Sequence, residues 1–334
     1  MRPTRNACPR STTVRSSTRW PQQACRTTRP SSAAASTPGP TSRLRPLGRY
    51  RTCSSTSAND LGSILTTSIS GTPVGPLPGA ERRVLILGDS WVRGLGPERR
   101  AAFGKLIAKG IGATELVDLS AISRTAPDFV NDHLVAVRES APVIAIVNIG
   151  GADSLIFPAW RVQRFIDRFA PPHWHGVAGL MPIARYSRDR KRRRRQIVEN
   201  VAKVMIKQLI VNLFGGRRRV GVPEFESAAR TLMSQLHQLG TLMIVVGLGP
   251  VDPFLSPKTN SSVRKTNVVL ARLCDELPGA VFIPTTRMVR RWDDYLSDHV
   301  HLSADGHRHI AEGVLAALAQ RGDQWVARPI EVTA

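Results

Sequence analysis

Short apolar runs bounded by turn residues recur along the C-terminal three quarters of the chain. They cover residues 84–87, 143–147, 242–246 and 281–283, and residues 115–119 (ELVDL) are a further strand candidate. The first three apolar runs lead to the glycines Gly88, Gly150 and Gly247. Continuous apolar runs of this length, ended by turn residues, are typical of strands buried in a parallel sheet. The pattern therefore predicts five such strands.

Segments with apolar residues at helical spacing alternate with these runs. Helices are predicted around residues 101–109, 128–138, 262–276 and 304–320. In the last of these, Ile310, Val314 and Leu318 fall on one face. Strands that alternate with helices predict an α/β fold, in which a parallel sheet carries helices on both faces.

Polar residues follow three of the predicted strands. Ser90 comes after the first strand, Asp153 after the third, and Asp298 and His301 after the fifth. In open α/β sheets the active site lies beyond the carboxyl ends of the strands. A serine with a downstream aspartate and histidine suggests a nucleophile, an orienting acid and a general base.

Three segments carry a resemblance to a known family. Residues 86–90 (ILGDS) resemble block I of the SGNH (GDSL) hydrolases, and residues 298–302 (DHVHL) resemble their block V. Between them, residues 150–153 (GGAD) occupy the place of block III, G-x-N-D. The resemblance covers about residues 82–320, apart from an insertion. It implies a three-layer, flavodoxin-like fold with strand order 2-1-3-4-5.

The resemblance also implies roles for individual residues. Ser90 is the expected nucleophile, His301 its general base, and Asp298 the residue that orients the imidazole. The oxyanion and substrate-binding positions implied by the family are Ser90, Ser123, Arg124, Gly151 and Ala152.

Two of these positions depart from the family pattern. Ala152 stands where the family has an asparagine that donates to the oxyanion, and loss of one such donor costs roughly 10²–10³ in turnover. The family's block II glycine, a backbone donor, falls at Ser123 or Arg124. Backbone donation survives a change of side chain, and Arg124 is also a candidate contact for an anionic part of a substrate.

Each candidate has a structural alternative. Ser90 is also a suitable helix N-cap. His299 is a rival to His301, or its partner in a metal pair, but only His301 fits the D-x-x-H spacing. No carboxylate or cysteine set completes a metal site, so neither a metal nor a cofactor is expected. Asp153 is interpreted as structural, and His307 as a helix-surface residue.

The charge of the chain is unevenly distributed. Its 334 residues carry 47 Lys and Arg against 25 Asp and Glu, a formal net charge of +22. Residues 1–80 hold 11 Arg and a single acid, and are rich in Ser, Thr and Pro. This composition predicts a disordered N-terminal extension. A transit peptide and translated DNA upstream of the true start are alternative origins.

A second basic segment lies within the predicted domain, which spans residues 81–334. An insertion at about residues 160–235 contains the run Arg185 to Arg195, with eight basic residues and one acid. One interpretation is a solvated charged flank. The other is a basic amphipathic lid near the site entrance, which meets lipid headgroups, an acyl-CoA phosphate or an anionic glycan. Neutralising Arg192 to Arg195 is then expected to weaken binding of an anionic substrate or vesicle.

These observations favour a serine ester hydrolase that acts on an acyl ester of a carbohydrate or a lipid. An acyltransferase with the same triad and a catalytically weak basic binding protein are the alternatives. No nucleic-acid partner is expected, because no aromatic residues alternate with the basic runs and no nucleic-acid motif is present. The chain has no stretch of roughly 18 apolar residues and no clear signal peptide, so a cytoplasmic location is expected. The sequence does not specify the oligomeric state.

Overall fold

The computed structural model describes residues 82–176 and 179–321 of the chain. The N-terminal extension predicted for residues 1–80 lies outside the described residues. The strands are β1 (Arg83–Gly88), β2 (Glu115–Asp118), β3 (Ile144–Asn148), β4 (Ile156–Pro158), β5 (Gly216–Arg218), β6 (Leu242–Val246) and β7 (Ala280–Ile283). The helices are α1 (Ser90–Arg93), α2 (Phe103–Gly110), α3 (Ala126–Ser140), α4 (Gly151–Ser154), α5 (Trp160–Phe169), α6 (Arg190–Leu213), α7 (Val222–Gln238), α8 (Thr259–Glu276) and α9 (Ala304–Ala319).

Five of the strands form one parallel sheet in the order β2-β1-β3-β6-β7. Strands β4 and β5 form a separate antiparallel pair. Counted along the main sheet alone, the order is 2-1-3-4-5, which confirms the predicted α/β fold. All five predicted strands belong to this sheet.

Both faces of the sheet are covered by helices. Alternate residues of a strand point to opposite faces, so Ile86 of β1 packs into the apolar cluster formed with α2 and α9. Its neighbour Leu87 packs into the cluster on the other face, formed with α3, α7 and α8. Burial on both faces explains why the inner strands β1, β3 and β6 have continuous apolar sequences, without alternating polar residues.

Helix α7 lies mostly within the predicted insertion limits of about 160–235. It packs on the core, because Phe225, Leu232 and Leu236 are buried in the same cluster as α3 and α8. The segment outside the core sheet and its helices ends near Gly221. Pro223, in the first turn of α7, marks where the new helix begins.

Helix α6 contains most of the basic run. It begins at Arg190, because the Asp189 side chain caps it by accepting from the Arg192 N–H at 2.7 Å. Across the two described ranges, no helix has both the length and the apolar character needed to cross a bilayer.

Candidate active site

A cavity of about 220 Å³ lies where β1, β3 and β6 end. Ser90, Gly151 and Leu248, which follow these strands, all line it. Most of its wall is apolar, and the apolar lining comprises Trp91, Leu95, Ile122, Leu155, Phe157, Met181, Pro182, Leu248, Val251, Val263 and Val300. The cavity therefore suits an apolar group held beside Ser90.

Ser90 is held in place by the aspartate that precedes it. The Asp89 side chain is buried, and it accepts from the Trp91 N–H at 3.0 Å and from the Ala152 N–H at 2.8 Å. It thus joins the turn after β1 to the turn after β3. A Cβ at Gly151 would lie 2.5 Å from the Asp89 carboxylate, so the approach requires glycine there. The sequence analysis assigned no role to Asp89, although its position directly before a helix is a capping signal.

Ser90, His301 and Asp298 form a hydrogen-bonded chain of side chains. The Ser90 Oγ lies 3.0 Å from His301 Nε2, and His301 Nδ1 lies 2.6 Å from Asp298 Oδ2. The other Asp298 oxygen accepts from the backbone N–H groups of Val300 and His301, each at 3.0 Å. The three-residue spacing lets one turn place both the carboxylate and the imidazole.

The electrostatics of the aspartate support this arrangement. Burial raises the pKa of Asp298, but hydrogen bonds and the charge interaction with His301 outweigh burial and hold the pKa below its usual value. The carboxylate therefore stays ionised near neutral pH and accepts the Nδ1–H of the imidazole. His301 Nε2 is then free to take a proton from the Ser90 hydroxyl, which would make Ser90 a nucleophile.

A second buried carboxyl group lies behind the site. Asp153 is fully buried and accepts from the Ala126 N–H at 3.0 Å. Burial, reinforced by the neighbouring Asp89 carboxylate, raises the pKa of Asp153 to about 7, although the Ala126 N–H and the charge of Arg218 oppose the shift. Asp153 thus holds the start of α3. Its carboxyl group stays protonated to a higher pH than that of a solvent-exposed aspartate.

The raised pKa predicts a pH-dependent stability effect of Asp153→Asn. Between the ordinary value of 3.8 and about 7, the folded state binds more protons at Asp153 than the unfolded state, so wild-type stability falls as pH rises through this window. Asparagine does not titrate. From pH 4 to pH 8 the variant should therefore gain up to about 4 kcal/mol relative to wild type.

Urea unfolding at several pH values measures this difference. Asp275→Asn is the control, because Asp275 is exposed on α8. A free-energy difference between Asp153→Asn and wild type that stays constant across this pH range would contradict the prediction.

The implied oxyanion positions are only partly brought together. Ser123 lines the cavity with a φ of 59°, the left-handed conformation in which glycine is favoured. Gly151 and Ala152 also line the cavity, but Ala152 presents a methyl group and its N–H is bonded to Asp89. The Arg124 side chain pairs with Asp132 and is not among the lining residues.

The structure places another cation at the cavity. Arg219 lines it and donates to the Ser123 carbonyl at 2.8 Å. Arg219 was not among the predicted site residues. It ends the run Arg217–Arg219, and no signal along the chain separates it from Arg218, which instead donates to the Thr266 hydroxyl at 2.9 Å.

The other histidines near the site have separate partners. His299 Nδ1 lies 2.8 Å from Asp252 Oδ2, and its ring stacks on Trp292. The prediction that His307 is a surface residue is wrong: it is fully buried, because it lies on the packed face of α9, and burial lowers its pKa to about 4. Within residues 82–176 and 179–321, no group of three or more His, Cys, Asp or Glu side chains could hold a metal ion.

Comparisons with known proteins identify the family. The model of the GDSL-like Lipase/Acylhydrolase family matches residues 86–309, about two thirds of the chain. No curated protein matches.

Among solved structures, the chain is similar to TesA, with a TM-score of 0.46 and 12% identity over 72% of this chain and 99% of that one. It is also similar to a catalytic mutant of the acetylxylan esterase Axe2 from Geobacillus stearothermophilus, with a TM-score of 0.45 and 14% identity over 76% and 99%. It is similar as well to the esterase EstA from Pseudoalteromonas sp., with a TM-score of 0.44 and 9% identity over 72% of this chain and 98% of that one.

The family model begins within β1 and ends within α9, so it includes the turn that carries Ser90 and the loop that carries Asp298 and His301. The chain belongs to the GDSL-like lipase/acylhydrolase family and is an ester-bond hydrolase.

Proposed function

We propose that this hydrolase acts through Ser90 as nucleophile, His301 as general base and Asp298 as the residue that orients the imidazole. The observation that supports this most directly is the hydrogen-bonded chain from the Ser90 Oγ to His301, at 3.0 Å, and on to Asp298, at 2.6 Å. It lies at the wall of an apolar cavity able to receive an acyl group. Nucleophile, base and orienting acid thus stand in the order that acyl transfer requires.

The reaction proceeds in two halves. The Ser90 Oγ attacks the acyl carbonyl carbon while its proton passes to His301 Nε2, and a tetrahedral oxyanion forms. His301 then gives that proton to the departing alkoxide oxygen, and the acyl group stays on Ser90. In the second half, water attacks the acyl-enzyme, His301 takes a proton from the water and returns it to Ser90, and the carboxylic acid leaves.

The oxyanion requires donors at the cavity wall. We infer that the backbone N–H groups of Ser90 and Ser123 supply them, since both residues line the cavity. The N–H of Ala152 is not a candidate, because it donates to Asp89 at 2.8 Å. The site then works with fewer donors than one with asparagine at position 152.

The shape of the cavity favours an apolar acyl group. Its side walls carry Ile122, Phe157, Met181 and Val263, none of which bonds to sugar hydroxyls. An acyl ester of a lipid, or a lipid-like acyl group on a carbohydrate, is therefore the proposed substrate class. Transfer of the acyl group to a sugar or lipid hydroxyl would use the same three side chains.

A fluorophosphonate probe tests the proposed function directly. The probe forms a phosphonyl ester with an activated serine, so the expected result is one adduct on the peptide that contains Ser90, found by mass spectrometry. Hydrolysis of nitrophenyl esters of increasing acyl length should accompany it. Absence of both the adduct and the hydrolysis would overturn the proposal. Added glycerol that takes a share of the acyl group would identify transfer.

The alanine at position 152 predicts a gain of activity on substitution. Ala152→Asn adds an N–H₂ donor at the cavity wall, and it is expected to raise kcat by about 10- to 100-fold, since one such donor is worth roughly 10²–10³ where it is native. Steady-state kinetics on a nitrophenyl ester measure the change.

Ala152→Asp is the matched control, because aspartate has nearly the same shape but its carboxylate donates nothing. Equal kcat values for the two variants would show that a donor at position 152 does not reach the oxyanion.

A further inference from the structure

Helix α6 buries several polar residues and exposes most of its large apolar ones, unlike a helix packed on a protein core. Its buried positions include Asn200, Lys203 and Lys207, which are 6%, 7% and 1% exposed. Val198 and Leu213, in contrast, are 69% and 67% exposed. A surface helix normally buries its apolar stripe and exposes its polar face. The outer face of α6 is therefore built for an apolar surrounding.

The polar groups buried beneath α6 are partly matched by neighbours. Asn200 accepts from the Ile183 N–H at 2.9 Å, and Lys203 pairs with Glu199 at 2.8 Å. Among the described residues, the Lys207 ammonium finds the Met181 sulfur, 3.8 Å away, as its partner, and burial lowers the pKa of Lys207 to about 8. The helix thus buries polar groups at a cost, beside Val204 and Val211, while most of its large apolar side chains stay exposed.

The exposed apolar residues form a continuous row. Ile197, Val201, Met205, Leu209 and Leu213 follow one another at intervals of four, so each lies next to the following one and the row winds slowly around the exposed surface of α6. Of the 17 large hydrophobic side chains that are exposed in the described ranges, 11 lie on α5, on α6 or at Phe214 just after it. Apolar patches concentrated in this way mark interaction surfaces.

Helix α5 extends this surface sideways. Phe165 and Phe169 are exposed, contact each other in a tilted arrangement with ring centroids 4.7 Å apart, and line an apolar groove. The opposite wall of the groove includes Ile206 and Phe214. We call this groove, together with the α6 row, the α5–α6 face.

Exposed basic residues border the α5–α6 face. All six residues from Arg190 to Arg195 are exposed at the start of α6, one turn before its apolar row. On α5, Arg161, Arg164 and Arg168 alternate with the exposed aromatic residues. Apolar and aromatic side chains next to arginines are the pattern of helices that lie in the headgroup region of a membrane.

The positive charge of the α5–α6 face indicates which kind of partner can bind there. A second copy of this face would bring one basic run against another, and residues 1–80 carry a charge of the same sign. Nucleic-acid bases stack on aromatic rings, which α5 exposes, whereas the longer α6 row is aliphatic and offers bases no stacking surface. An anionic lipid surface matches both features, since its headgroups attract the arginines and its acyl chains accept the apolar row.

We propose that the α5–α6 face is a docking surface for an anionic phospholipid bilayer. The face lies next to the cavity of the active site: Leu180 lines the apolar groove, while the next two residues, Met181 and Pro182, line the cavity. A bilayer bound there would lie against the segment that separates the groove from Ser90. Docking does not depend on the proposed catalytic roles, and it is tested on the full chain with Ser90→Ala, which excludes changes caused by hydrolysis.

Vesicle co-sedimentation provides the first test. The Ser90→Ala chain should bind vesicles of phosphatidylglycerol and phosphatidylcholine in equal parts more tightly than vesicles of phosphatidylcholine alone, and added salt should weaken the binding. Replacing Arg192, Arg193, Arg194 and Arg195 by glutamine should lower the partition coefficient by roughly 10- to 100-fold.

The matched control removes the same charge elsewhere. It replaces Lys109, Arg264, Lys265 and Arg287, all of which are exposed, by glutamine. An equal loss in this control, or no preference for the anionic vesicles, would overturn the proposal. So would binding of a DNA or RNA oligonucleotide that depends on Arg192 to Arg195, with vesicle binding that does not.

A local probe distinguishes docking of this face from attraction of the basic N-terminal segment. In a variant with the four native cysteines replaced, a polarity-sensitive dye is attached at Phe169→Cys or, as control, at the exposed position Val268→Cys. Anionic vesicles should shift the emission to the blue at position 169 only.

A double substitution tests the apolar contribution separately. Phe165→Ser with Phe169→Ser should weaken vesicle binding without any change of charge. No shift at position 169, or equal shifts at both positions, would refute docking through the α5–α6 face.

Discussion

Replacing Ser90 with alanine is expected to lower kcat by about 10⁴–10⁶, the range seen when the nucleophile of a serine hydrolase is removed. The reason is geometric: Ser90 supplies the oxygen that lies 3.0 Å from His301 Nε2. Alanine leaves the cavity and the fold in place, so thermal unfolding should change little. Steady-state hydrolysis of a nitrophenyl ester, together with fluorophosphonate labelling, measures the effect.

Ser123→Ala is the matched control for this result. Ser123 lines the same cavity, but its proposed contribution is a backbone N–H, which alanine keeps. This variant should stay within about fivefold of wild type, since removal of a donor costs roughly 10²–10³. A Ser90→Ala protein that keeps most of its activity, or a Ser123→Ala protein that loses most of it, would contradict the assignment of Ser90.

The second large effect is expected at His301. His301→Asn removes the base that contacts Ser90 on one side and Asp298 on the other, and it should lower kcat by about 10⁴–10⁶. Loss of the base acts on attack and on leaving-group departure alike. The measurement is kcat with an excess of nitrophenyl ester, after unfolding experiments show that the variant is folded.

The neighbouring histidine provides the comparison. His299→Asn lies two residues away and breaks the contact with Asp252 instead. Asparagine tolerates the left-handed backbone of position 299, where φ is 48°, better than alanine does. This variant should keep kcat within about tenfold, because its partner Asp252 is outside the chain of contacts to Ser90. Equal losses at positions 299 and 301 would remove the distinction on which the assignment of His301 is based.

The sequence predicted the central sheet well, because its inner strands β1, β3 and β6 are buried on both faces and so have continuous apolar sequences. The paired strands β4 and β5 have three residues each, and β5 reads Gly-Arg-Arg, so no apolar pattern reveals them. Helix α7 was placed in the insertion, since an amphipathic helix gives no sign of which surface it packs against. Likewise, the apolar spacing along α6 is typical of a helix, but spacing does not show that the apolar row faces outward.

Site residues were predicted where they lie close together along the chain, and were missed where their partners are remote. The D-x-x-H spacing pointed to Asp298 and His301 together because both lie in one turn. Asp89 and Arg219 were missed because their partners, Ala152 and Ser123, are remote along the chain. Of Ser123 and Arg124, only Ser123 lines the cavity, and its φ is positive. No sequence pattern indicates a positive φ when the residue is not glycine.

The separation of Ser90 from His301 along the chain has a consequence for biosynthesis. The two residues are 211 positions apart, and β3, β6 and β7 lie between them in sequence. A nascent chain therefore exposes Ser90 early without its proposed base, and the proposed catalytic centre is assembled only after the loop that follows β7 has been synthesised and has closed on β1. Conversely, local opening of that loop would switch the enzyme off while the sheet stays folded, so inactivation on heating should precede the loss of secondary structure.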